Sequence, residues 1–177
     1  QIGTNCGAIS AHAAQEAENV VYWMSDGSFF LFDGVVKEIP CSVQDFVFDD
    51  IDSEQKRITY AGVNLDFSEI NWFYASSGSD VIDKVVTYNY KEQVWTVGTL
   101  ARTTYVPKDV FSFPLATYYD INSTATSQPT VYGLTAGRST LYNQESGTNA
   151  DGSAMTAFIT SGDIDMVDGD DNLFIRR

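Results

Sequence analysis

The stretch that decides the fold reads Val20-Val21-Tyr22-Trp23-Met24, Ser25-Asp26-Gly27-Ser28, Phe29-Phe30-Leu31-Phe32, Asp33-Gly34, Val35-Val36-Lys37-Glu38-Ile39 and Pro40. Three short apolar runs, rich in aromatic and β-branched residues, are each closed by a turn signal. Asp-Gly supplies the positive φ angles that tight hairpins need. Pro40 has no N–H to give to a ladder, so it stops the third run. The stretch therefore predicts a three-stranded antiparallel meander with short connections.

The pattern continues downstream. Residues 58–62, 69–75, 84–90 and 94–98 predict a second meander, with Ser76-Ser77-Gly78-Ser79 and Lys91-Glu92-Gln93 as connections. A third, weaker set has aromatic runs between Asp109 and Tyr119, broken by Pro114. It continues with Thr130-Val131-Tyr132-Gly133-Leu134 and Arg138 to Tyr142, and its last strands are expected at 154–161 and 173–177. Residues 1–19 are small and polar and show no clear period. Residues 49–57 are the helix candidate, acidic at the start and basic at the end as the helix dipole favours.

The sets align as an internal repeat. Val21-Tyr22-Trp23-Met24, Ile70-Asn71-Trp72-Phe73-Tyr74 and Thr130-Val131-Tyr132-Gly133 take the first place. Phe29 to Gly34, Val85 to Tyr90 and Ser139 to Asn143 take the second. Phe32, Tyr88 and Tyr142 then recur at a period of about 55 positions, close to the length of a propeller blade. The expected fold is all-β: antiparallel meanders forming β-propeller-like blades, a partial propeller, with a β-sandwich as the alternative. Residues 1–177 are taken as one all-β region with units of about 18–57, 58–104 and 105–177. A ring needs about four to eight blades, and the chain opens at Gln1 and closes on strand-like Asn172 to Arg177, so a longer protein is expected. Trp23, Phe32, Trp72, Tyr88, Trp95 and Tyr142 are the expected structural aromatic positions.

Composition narrows function. Aromatics reach 14%, which suits pleated, half-buried surfaces. The formal charge of -14 repels a phosphate backbone, so no tight nucleic-acid binding is expected. No run of 18 apolar residues is present, so no membrane partner is expected. The two cysteines, Cys6 and Cys41, are read as free thiols, with a Cys6–Cys41 bridge as the alternative that sequence leaves open.

Groups that carry chemistry are sparse. His12 is the lone histidine, and neither a nucleophile elbow nor a phosphate loop is present. Asp163, Asp165, Asp168 and Asp170 form a calcium candidate. The third Asp is displaced by one residue from the EF-hand pattern and the twelfth place is Phe174, so a solvated acidic loop is preferred. No cofactor and no catalytic residue is assigned. Carboxylate pairs for glycoside hydrolysis are unspecific among 24 acidic residues. Trp72 and Trp95 suit sugar stacking in principle and core packing better.

Cys6-Gly7, Val21-Tyr22-Trp23-Met24, Phe32-Asp33-Gly34, Ile39-Pro40-Cys41, Val47-Phe48-Asp49-Asp50, Glu69 to Tyr74, Tyr88-Asn89-Tyr90 and Gly98 to Thr103 resemble, in order, structural proteins of tailed bacteriophages. These are neck or tail components of short-tailed phages, including packaged-DNA stabilisation and tail hub proteins. The likeness runs from about Gly3 to Arg177 and departs at residues 122–128, which look inserted. It implies a non-enzymatic virion protein, made in the host bacterial cytoplasm. Its implied partners are portal, neck or tail proteins, and its exposed sheet edges predict self-association. The alternative is a carbohydrate-binding or glycan-hydrolysing β protein.

Overall fold

Runs of Val, Phe, Tyr and Trp pair here as antiparallel ladders, because each buries one face against its neighbours while the backbone satisfies itself across the strands. The computed structural model describes residues 5–109, 111–121, 137–150 and 153–154. By contacts the chain divides into two units, Gln1–Ser146 and Gly147–Arg177.

In the first unit, β1 (Ala14–Ala17), β2 (Val20–Met24), β3 (Phe29–Phe32) and β4 (Val36–Ile39) form a four-stranded sheet in chain order. A second such sheet holds β5 (Tyr60–Asn64), β6 (Glu69–Tyr74), β7 (Lys84–Asn89) and β8 (Val94–Gly98). The third sheet holds β9 (Thr104–Val106), β10 (Leu115–Asp120) and β11 (Arg138–Asn143), again as a meander. All of these pairings are antiparallel. In the second unit, β12 (Asn149–Ala150) pairs with β13 (Ser153–Ala154). The all-β, antiparallel expectation therefore holds. No closed ring is seen among the described residues.

The hairpin signals worked as chemistry requires. Gly27 sits at φ +110 in the turn between β2 and β3, where Ser25 N–H donates to the Ser28 carbonyl at 2.8 Å. The repeat alignment places Val21–Met24 and Ile70–Tyr74 on the second strands of their sheets. It places Phe29–Phe32 and Val85–Asn89 on the third strands. Ser139 to Asn143 falls on β11, also the third strand of its meander, whereas Thr130 to Gly133 lies outside the described residues.

Four expectations need correction. The first meander opens with β1, ahead of residue 18. Ala14-Gln15-Glu16-Ala17 has little strand propensity of its own. The ladder to β2 holds it, through a two-residue turn in which Glu18 and Asn19 take φ +51 and +65. The helix is α1 (Gln44–Asp50), not 49–57. Ile51 turns extended to bury itself against Ser76, and the Asp52 carboxylate then captures the N–H groups of Glu54, Gln55 and Gly78, leaving only a 3₁₀ turn at Lys56–Ile58. That turn pushes β5 to Tyr60–Asn64, two residues past the expected start. The third meander begins at β9, which was not expected, and β10 starts directly after Pro114 rather than being interrupted by it.

The first strands of the three meanders lie side by side. His12, just ahead of β1, forms a parallel bridge with Tyr60 on β5, and Ala61 N–H donates to the His12 carbonyl at 2.7 Å. β5 in turn packs on β9. A Cβ at Gly62 would stand 2.7 Å from the Tyr105 Cβ, so only glycine lets the two backbones approach. Gly62→Ala should cost about 1–3 kcal/mol in chemical denaturation. An unchanged midpoint and slope would show that β5 and β9 are not in this contact.

Candidate functional site

The side chains that join the first two meanders form an aromatic seam. Phe29 on β3 stands with its ring 4.9 Å from Trp72, 4.5 Å from Trp95 and 5.4 Å from Phe48 of α1. Trp95 continues the contact to Tyr88 at 4.5 Å. Tyr88 reaches Tyr22, which stacks on Tyr90 at 5.8 Å. The tilted and stacked geometries are those that aromatic quadrupoles favour. Trp72 is fully buried, and its indole N–H donates to the Ala13 carbonyl at 3.0 Å. Trp95 is half-buried, with its N–H on the Pro40 carbonyl at 2.9 Å.

The other expected aromatic positions serve locally. Trp23 stacks on Phe30 at 5.7 Å and donates its N–H to the Cys6 carbonyl at 2.7 Å. Phe32 is half-buried in the β3 ladder between Val21 and Val36. Tyr142 lies under the Arg102 guanidinium, 5.1 Å from the ring centroid. Trp72 is closed to any sugar, because its ring has no exposed face.

Several titratable groups are perturbed. Burial, with Asp50 beside it, raises the Tyr74 hydroxyl well above its usual range. Burial also raises the hydroxyls of Tyr22, Tyr88 and Tyr105 and the thiol of Cys41. Both cysteines are free. Burial first, and the field of the Glu145 carboxylate second, raise the Glu69 carboxyl. Asn64, opposite Glu69 in the β5–β6 ladder, donates to Glu145 Oε1 at 3.5 Å. The two carboxylates lie far apart in the chain, so no spacing rule could have marked them.

His12 serves the first-strand edge, with its ring 5.9 Å from that of Tyr60. Among the described residues no three His, Cys, Asp or Glu side chains converge on a metal-sized space. No helix there is long and apolar enough to cross a membrane. Asp163, Asp165, Asp168 and Asp170 lie outside the described residues. Comparison with protein-family models finds no match, and comparison with curated proteins finds none.

The raised Glu69 carboxyl sets a pH signature. Folding favours its protonated form, so its contribution is fully present below the unfolded-state value and is lost as pH rises through the folded-state value. Glu69→Gln should therefore match the parent near pH 3 and exceed it in stability near pH 7, read by denaturant midpoints at both pH values. A difference that fails to grow between the two would show that Glu69 carries no burial penalty.

Proposed function

We propose that this chain is a structural and assembly protein of a tailed-phage virion, a neck or tail component built as a partial stack of propeller-like blades. The observation that carries the reading is the repeated meander with its first strands side by side, β1 to β5 to β9. In a propeller each four-stranded blade packs its face on the next around an axis. The aromatic seam supplies that face-to-face contact between the first two meanders. The likeness of Phe32-Asp33-Gly34, Glu69 to Tyr74 and Gly98 to Thr103 to short-tailed phage proteins supports the same assignment. A chain of charge -14 next to a packaged genome guides DNA without holding it. The partners in this reading are portal, neck or tail proteins, and the site of action is the virion.

A glycan-hydrolysing reading has one observation in its favour, the half-buried Glu69 with raised pKa beside Glu145. The buried Trp72 removes one of its two expected sugar platforms.

Mass spectrometry and immunogold electron microscopy of density-purified particles test the assignment. The chain should be present at a fixed copy number per particle and label one vertex. Its absence from particles, together with glycan hydrolysis that Glu69→Gln abolishes, would replace the assembly reading with the hydrolytic one.

A further inference from the structure

The outer edges of the two four-stranded sheets are built differently. β4 carries charge on its edge: Lys37 pairs with Asp33 at 2.5 Å, Glu38 accepts from Ser28 Oγ at 2.7 Å, and Pro40 follows the strand. Such charges and a nearby proline are how proteins keep an edge from recruiting another strand. β8, Val94-Trp95-Thr96-Val97-Gly98, contains no charge and no proline, and among the described residues its one ladder partner is β7. Val94 is 52% exposed and Val97 40%, and Thr96 and Gly98 are exposed as well. Among the described residues no backbone group pairs with the outer side of β8.

A cleft of about 470 Å³ opens beside this edge, between Val97 and the segment Cys41 to Phe46. Trp95 and Val97 share one face of the strand, because side chains alternate. That face looks toward the seam, where Trp95 is tied to the Pro40 carbonyl. Phe46, 57% exposed, stands on the opposite wall. Asp45 and Asp49 are exposed one helical turn apart on α1, and no lining residue is basic.

We propose that the β8 edge and this cleft form a β-augmentation site for an extended segment of a basic partner protein. The segment adds a strand to β8 through main-chain hydrogen bonds. It seats an apolar side chain between Val97 and Phe46 and sets Lys or Arg residues against Asp45 and Asp49. Charge complementarity favours this occupant over the self-association that an open edge alone would allow, because a second copy carries the same charge of -14. The site rests on the assembly reading, for which it supplies a docking surface.

The test uses the full chain, isotope-labelled, titrated with a capped ten-residue peptide in which every second residue is Thr and the others alternate Lys and Ile, so that Lys and Ile share one face of the added strand. A second peptide carries Glu in place of Lys. The Lys peptide should shift the amide resonances of Val94 to Gly98 and slow their hydrogen exchange at least tenfold, while the Glu peptide does neither. Val97→Asp and Phe46→Asp should each weaken the Lys peptide at least tenfold with the remaining amide spectrum intact. Both variants make the chain more acidic, so plain ionic attraction would strengthen instead. Shifts scattered over the surface, or tighter binding by either variant, would overturn the proposal. So would concentration-dependent β8 shifts without peptide, which would mark a second copy as the occupant. Particles that contain the chain while its β8 ignores the peptide would sink this site and leave the assembly reading standing. Peptide binding by a chain absent from particles would do the reverse.

Discussion

The hydrogen bond from the fully buried Trp72 indole to the Ala13 carbonyl is the constraint on which the arrangement of the first two sheets depends. Burying an indole without a partner for its N–H costs about 1–3 kcal/mol, so the largest core side chain is stable only where it meets that carbonyl. Ala13 stands immediately before β1, and its own N–H and carbonyl also bond Ser10 and Met24. One buried side chain thereby fixes where the first meander begins and how the second lies against it. Phe29 and Trp95 complete the cluster from opposite sheets, and their tilted contacts set the separation of the two faces.

The same constraint shapes the rest of the unit. With β1 placed by Ala13, His12 bridges to Tyr60 and aligns β5 alongside. Gly62 then lets β9 close in through Tyr105. The Lys91–Glu18 ion pair between the first two sheets spans 3.2 Å with both side chains more than half exposed, and contributes little. Apolar packing and main-chain contact at the first strands therefore dominate. A seam that opens toward solvent at Trp95 and Val97 leaves one strand edge without the charges that guard the other.

How much of this the sequence carried depended on whether the signal was local. β3, β6, β7 and β8 were readable within a residue or two, since each is an apolar run between turn residues such as Asp26-Gly27 or Lys91-Glu92-Gln93. β1 was not, because Ala14 to Ala17 becomes a strand only by pairing, although the two-residue link Glu18-Asn19 hinted at a hairpin. The helix was misplaced because an Asp at position 52 reads as a helix-start residue by charge and acts instead through its side chain on the backbone. Trp72 and Tyr88, two of the expected structural aromatic positions, both lie buried. The Glu69–Glu145 neighbourhood and the cleft beside Val97 arise from residues distant in the chain, and periodicity does not report such contacts.

Nuclear Overhauser contacts between first strands test the account most directly. Cross-peaks from the Ala61 amide to His12 and Ala13, together with cross-peaks from the Gly62 Hα protons to the Tyr105 ring, are predicted alongside the usual cross-strand contacts within each sheet. Intact contacts within each meander with none linking β1, β5 and β9 would contradict the side-by-side placement of the first strands.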